Sequence, residues 1–165
     1  MSTGEGAVTD YQTARGRDYP TIRQFTVFLE NRVGQLLEVV RRFEGTGIRI
    51  VALSISDSAE CAFVRFLLSH PERGREILER AGLALIETDL IGLELPGGSQ
   101  PLLQICTALL QAEINIIQAY PLMLRAHGAP AVAIMVDNTE VALDMLARKG
   151  FRMITEDDLL EEVTE

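Results

Sequence analysis

The sequence predicts an α+β protein of two ferredoxin-like βαββαβ units in tandem, each an antiparallel four-stranded sheet with two helices on one face. Three observations carry that expectation. Residues 25–87 and 91–155 each read strand–helix–strand–strand–helix–strand by apolar periodicity. The two stretches superimpose: Leu36-Leu37-Glu38-Val39-Val40 and Ile48-Arg49-Ile50 meet Leu102-Leu103-Gln104-Ile105-Cys106 and Ile114-Asn115-Ile116 at a constant offset of 66 residues. Later signals agree at an offset of 68, which relates Ser69-His70-Pro71-Glu72 to Asp137-Asn138-Thr139-Glu140 and Gly82 to Gly150. A repeat of this period marks a duplicated unit, and the two extra residues fall where the middle hairpin turns.

Taken in order, Gln24–Leu29 alternates apolar and polar residues and reads as the first strand. Glu30-Asn31-Arg32-Val33-Gly34 breaks it. A helix then runs to about Gly45, with Leu36, Val39, Val40 and Phe43 on one stripe and Glu38, Arg41, Arg42 and Glu44 opposite. Ile48–Ser56 and Cys61–Leu68 form the middle strands around the Asp57–Glu60 turn. Ser69-x-x-Glu72 and Asp137-x-x-Glu140 read as capping boxes that open the second helix of each unit. Leu83–Glu87 is a fourth strand, and Leu90–Leu95 opens the second copy with no real linker. Its helix covers about Gln100–Gln111, its later strands Ile114–Leu124, Ala129–Val136 and Phe151–Thr155. The expected divisions are a flexible leader over 1–20, units over 21–89 and 90–155, and an acidic tail over 156–165. The second face of the sheets reads apolar (Val51, Leu53, Ile55, Ile114, Ile116, Ile117), so protein must cover part of it.

The 165 residues are 47% hydrophobic and 24% charged, the composition of a soluble globular protein, and units this small need docking or dimerisation to be stable. A net charge of −9 with Lys149 as the only lysine disfavours nucleic acid and anionic membranes as partners, because phosphate neutralisation needs clustered cations. No run is long enough to span a bilayer, and Met1–Pro20 lacks the apolar core of a secretory signal, so a cytoplasmic location is expected. Cys61 and Cys106 are isolated and suit core packing. His70 and His127 read as solvated, and Asp157-Asp158 as a solvated terminus. Phosphate loop, dinucleotide fingerprint and zinc spacing are missing, so neither catalysis, nor a cofactor, nor a metal is expected. An RNA-recognition reading of the fold fails because Phe63 and Phe66, three apart, face opposite sides of a strand.

The strand-to-helix step Phe28-Leu29-Glu30-Asn31-Arg32-Val33-Gly34-Gln35-Leu36 resembles the signature turn of ACT domains, the small-molecule-sensing modules attached to amino-acid-metabolic enzymes. Asn31, Gly34 and Leu36 match that turn, and Gly47-Ile48-Arg49-Ile50 and Glu113-Ile114-Asn115-Ile116 match the strand that follows. The likeness covers about residues 22–155 and is nearest to stand-alone tandem ACT proteins. It implies a non-catalytic, allosteric regulator that binds a free amino acid at a domain interface near Asn31, Arg32, Val33, Gly34, Gln35 and Leu36, working as a homodimer or with an enzyme partner. The alternative is an interaction subunit that docks on a biosynthetic enzyme without ligand.

The chemistry of the turn agrees. The amides of Val33–Leu36 open a helix, where a carboxylate is favoured by unpaired N–H groups and the helix dipole. Gly34 admits close approach, and Asn31 offers both a donor and an acceptor. For the ammonium the sequence offers strand-edge carbonyls, Glu30 or Asp57 without choosing among them. The same residues also serve ordinary turns. In the second unit Gly97, Gly98, Ser99 and Gln100 occupy the matching place without the Asn or the aligned Gly, so a second site there is expected to be degenerate.

Overall fold

The computed structural model describes residues 20–161. The expected leader, Pro20 aside, and residues 162–165 lie outside them. The first unit comprises β1 (Ile22–Glu30), α1 (Gln35–Arg41), β2 (Ile50–Asp57), β3 (Cys61–Leu68), α2 (Pro71–Arg80) and β4 (Leu85–Glu94). The second continues with α3 (Pro101–Gln111), β5 (Ile116–Pro121), β6 (Ala131–Val136), α4 (Thr139–Arg148) and β7 (Met153–Ile154). A last helix, α5, covers Glu156–Glu161. All strands pair antiparallel, in the order β2-β3-β1-β4-β6-β5 with β7 also on β4.

β4 is the hinge of this topology and differs from the expected pair of strands. Its first half, Leu85–Leu90, pairs with β1, and its second half, Ile91–Glu94, pairs with β6. Thr88-Asp89 holds no glycine or proline to interrupt it, so one strand serves as the last of unit one and the first of unit two. β4 therefore runs across the division expected between residues 89 and 90. Gly92 lies where β1, β4 and β7 converge. A methyl group there would stand 2.5 Å from Ile22 Cδ1 and 2.8 Å from the Ile154 carbonyl oxygen.

Strand alternation sorts side chains into three cores. Phe25, Val27 and Phe66 meet Val39, Phe43 and Leu78 beneath the first helix pair. Ile91, Leu93 and Ile134 meet Ile105, Leu109 and Leu146 beneath the second. Between them the helix-free faces pack together through Ile22, Val51, Leu67, Leu90, Ala133 and Leu159. That third core covers the second face, but of the residues expected there only Val51 enters it. The bulge of β2 between Ile50 and Ala52 puts Val51 and Ala52 into the same core, so Leu53 packs with the first core. Ile114 and Ile116 pack with the second, and Ile55 and Ile117 are exposed. Each large aliphatic side chain fully buried in the third core contributes about 1.5–3 kcal/mol before entropy is counted. The sheet coils until its edges meet, where Met123 N–H donates to the Val51 carbonyl at 2.7 Å.

The duplication extends to irregularities. β2 bulges between Ile50 and Ala52, β5 between Ile116 and Gln118. Beside each bulge a strand amide is left over, and a side chain takes it: Arg49 N–H donates to Ser69 Oγ at 2.9 Å, Asn115 N–H to Asp137 Oδ1 at 3.1 Å. Ser69 and Asp137 are thus spent on the strands and do not cap helices as expected. The caps are His70, which makes no side-chain capping bond, and Asn138, whose Oδ1 accepts from Val141 N–H at 3.2 Å. α1 stops at Arg41 because Arg42, Phe43 and Glu44 donate three residues back, tightening the chain before Gly45.

Glu156–Glu161 form a helix where the sequence left a short helix or a trailing end open. Thr155 and Asp158 form a reciprocal cap, with Thr155 N–H to Asp158 Oδ2 at 2.7 Å and Asp158 N–H to Thr155 Oγ1 at 3.4 Å. Leu159 enters the third core fully buried. Glu156 is buried against Arg23 of β1, accepting from its N–H (3.0 Å), Nε (2.9 Å) and Nη2 (3.0 Å). Glu72 takes Nη1 of the same arginine. Burial works against this cation, but the bonds to Glu156 and Glu72 outweigh it and raise its pKa above that of an ordinary arginine.

Candidate functional site

The turn leaving β1 is open to solvent. Asn31, Arg32, Val33 and Gly34 are exposed, Gln35 and Leu36 half-buried. Gly34 takes φ +89°, the left-handed region where only glycine is unstrained, and nothing lies within 4 Å of where a Cβ would be. The first i→i−4 bond of α1 runs from Glu38 N–H to the Gly34 carbonyl at 3.1 Å, so the amides before it have no helical acceptor. Gln35 differs from expectation, because its N–H reaches the Arg32 carbonyl at 3.3 Å. Arg32 folds back within the turn: its Nε lies 3.4 Å from Glu30 Oε2 and its guanidinium meets the Gln35 side-chain oxygen. Val33 is wholly exposed and Leu37 is 56% exposed, so apolar surface flanks the open amides.

The turn does not lie at the seam inside the chain. The third core starts at Ile22, and nine residues of extended strand place Asn31 about 30 Å from it. Glu30 pairs with Cys61, so the neighbours of the turn are the ends of β1 and β3.

The second turn is differently furnished. Gly98 takes φ +113°, Gln100 begins α3 without a side-chain cap, and Gln104 Nε2 donates to the Gly97 carbonyl at 2.8 Å. Beside it a cleft of about 230 Å³ is lined by Glu94, Gly97, Gln104, Lys149, Phe151 and Arg152. The lining from Lys149 to Arg152 went unnoticed in the sequence. The signal was present in Gly150, which ends α4 as Gly82 ends α2, and the loop after it returns to β4. Glu94 N–H donates to the Arg152 carbonyl at 2.9 Å, as Phe28 N–H does to Ala84 in unit one at 3.4 Å.

Two expectations about single residues are corrected. Cys106 is exposed, not packed in a core, and Cys61 is half-buried. His127 Nε2 lies 2.9 Å from Asp158 Oδ1, and its Nδ1 lies 3.6 Å from Glu94 Oε2, so neither His127 nor Asp158 is simply solvated. His127 is held there by a left-handed backbone at φ 58°. His70 Nδ1 stands 2.8 Å from Ser69 Oγ. Among the described residues there is no cluster of metal-ligating side chains, and no helix is long and apolar enough to cross a membrane.

Residues 20–163 match the family described as an ACT domain pair. No curated protein matches the sequence. Among solved structures, a protein from Bacteroides thetaiotaomicron is 24% identical with a TM-score of 0.77, over 86% of this chain and 97% of that one. The regulatory subunit of aspartate kinase from Thermus thermophilus, in its ligand-free form, is 12% identical with a TM-score of 0.54, over 79% and 93%. The corresponding subunit from Thermus flavus is 13% identical with a TM-score of 0.51, over 79% and 93%. At these identities the likeness is one of fold.

Proposed function

Because the chain belongs to the ACT domain pair family, we propose that it is a non-catalytic regulatory protein of the cytoplasm that binds a free amino acid at the Asn31–Leu36 turn and so modulates an enzyme of amino-acid metabolism. The observation that carries the reading is the exposed, left-handed Gly34 at the head of α1, with amides that lack helical acceptors and Asn31 three residues before it. A carboxylate is favoured at such amides by their dipoles and free N–H groups. The regulatory-subunit neighbours share the fold, which supports a regulatory role.

The seam inside the chain lies at the far end of β1, so the second wall of this site comes from another chain, a further copy or the regulated enzyme. Exposed Val33 and Leu37 supply apolar contact for it. A ligand held between the two favours the associated arrangement by its differential affinity for it. The same two apolar residues also support the second reading, an interaction subunit that docks through this corner without ligand.

A thermal-shift screen of the twenty amino acids separates the readings. One amino acid at 100 times its Kd stabilises the protein by about 2.7 kcal/mol, and Asn31→Ala abolishes the response while leaving the unliganded melting temperature nearly unchanged. If no amino acid moves the transition, with or without the enzyme partner, the amino-acid site is refuted and the docking subunit remains.

A further inference from the structure

We propose that the groove between α3 and the α4–β7 turn of the second unit binds a small carboxylic acid with an uncharged, apolar body and no ammonium group. The repeat supplies an internal control. At the offset of 66 residues, four charged residues of unit one, Glu30, Glu38, Arg41 and Arg42, become Pro96, Gln104, Thr107 and Ala108. At the offset of 68, Lys149 and Arg152 stand where unit one has Ala81 and Ala84, and Phe151 where it has Leu83. Glu94 replaces Phe28. The cations have moved from the helix to the turn, and the helix is left with short or neutral side chains.

The exchanged residues line one recess. The cleft of about 230 Å³ beside Gly97 adjoins a groove of about 590 Å³ along α3, and the two share Gln104, Lys149 and Phe151. Spaces of this order suit small molecules, which are held by mostly apolar walls and a few placed polar groups. Leu103, Ala108 and Phe151 supply the apolar wall, and Gln104, Thr107 and Gln111 supply neutral hydrogen-bonding groups. Lys149 reaches over to α3, where its Nζ donates to Gln111 Oε1. An ammonium has three protons, so two are left to meet a ligand.

Charge selects the ligand. The recess is lined by two cations, Lys149 and Arg152, and one carboxylate, Glu94. Glu94 Oε2 lies 3.5 Å from Arg152 Nε, so those two balance and Lys149 is the charge left over. A single carboxylate on the ligand completes neutrality through a charge-assisted bond to Lys149. A phosphate monoester brings about −1.5 to −2, more than one cation matches. An ammonium on the ligand finds no carboxylate: the lining along α3 has no acidic residue, Glu94 already faces Arg152, and Lys149 repels a second cation. The ligand therefore differs from the zwitterion proposed for the Asn31–Leu36 turn, which belongs to the other unit.

The test is isothermal titration calorimetry of the full chain with 3-phenylpropionate, which is phenylalanine without its ammonium group. It binds the wild type with a Kd below about 1 mM. The uncharged 3-phenylpropanamide binds at least about tenfold more weakly, and so does phenylalanine when titrated into Asn31→Ala. Lys149→Ala and Gln104→Glu each restore the unit-one residue at an exposed position. Both weaken 3-phenylpropionate at least about tenfold and leave the far-ultraviolet spectrum unchanged. Glu38→Gln, the reverse exchange in unit one, leaves its affinity as it was. No heat from 3-phenylpropionate at millimolar concentration overturns the proposal, and so does affinity that survives Lys149→Ala or Gln104→Glu. Equal affinity for the amide, or for phenylalanine in Asn31→Ala, overturns it as well. Asn31→Ala binds 3-phenylpropionate as the wild type does, and loss of the acid there places it at the turn and refutes the groove. Loss of an amino-acid response in the same variant leaves this result untouched, so the two readings fail separately.

Discussion

Glu156→Ala removes one carboxylate and tests whether the C-terminal helix ties the two units together. The Glu156 and Arg23 side chains are 5% and 6% exposed, and three N–H groups of Arg23 lie 2.9–3.0 Å from the carboxylate. The guanidinium cannot shed its charge to compensate, because its pKa is raised and not lowered. Truncating one member of a buried pair costs about 3–5 kcal/mol, most of it from the charge left behind. Glu72, half exposed, still holds Nη1, and Glu87 stands 4.0 Å from Nε, so the expected loss lies at the low end, about 3 kcal/mol. Urea unfolding followed by circular dichroism measures it as a lower midpoint at constant slope. Arg23→Met combined with Glu156→Leu removes both charges and costs about 1 kcal/mol or less, since apolar replacement of a whole buried pair is near neutral. A loss under about 1 kcal/mol for Glu156→Ala, or a double variant as unstable as the single, would refute the reasoning.

Three further outcomes follow from local geometry. Gly92→Ala forces a methyl group to 2.8 Å from a backbone oxygen that cannot swing away, and calorimetry should register a loss of about 1–3 kcal/mol. Glu113 holds φ 56° where unit one has Gly47 at φ 75°, so Glu113→Gly relieves strain and raises stability in urea by up to about 1 kcal/mol. Burial raises the Tyr120 phenol above its ordinary value of 10.0. The unfolded chain gives up that proton first, so stability falls as pH rises above about 10, and Tyr120→Phe flattens that fall in unfolding curves taken from pH 8 to 11. At neutral pH the same variant loses the bond to Gln24 Oε1, 2.5 Å away, at a cost of about 1 kcal/mol.

The duplicated architecture was legible because apolar spacing and glycine stops are local signals, and both survive in each copy. β3 over Cys61–Leu68 coincides with its expected span, and α3 differs by one residue. The need for a cover on the second face was legible at Val51, but not which residues share that face, because the bulge beside Ala52 turns Leu53 to the first core and leaves Ile55 exposed. Nor was the cover itself legible, because the pairing of Ile22, Leu67 and Leu90 with Leu122, Ala133 and Leu159 joins positions far apart in the chain. Ser69 and Asp137 were misread for a related reason: a side chain beside a helix start looks like a cap unless the bulged strand that claims it is known. The Asn31–Gly34 turn was legible as a turn with open amides. Its distance from the seam was not, because that depends on which end of β1 the second unit joins. Arg23 gave no sign of being buried, since its partners lie 49 and 133 residues away.

A strand held in common has a mechanical meaning. β4 is laid into both halves of the sheet, so they cannot swivel about a loose joint, and cutting the chain there would strip a rib from each. The core between the halves and the Arg23–Glu156 pair fasten them a second and a third time, so neither half can be displaced without straining the other.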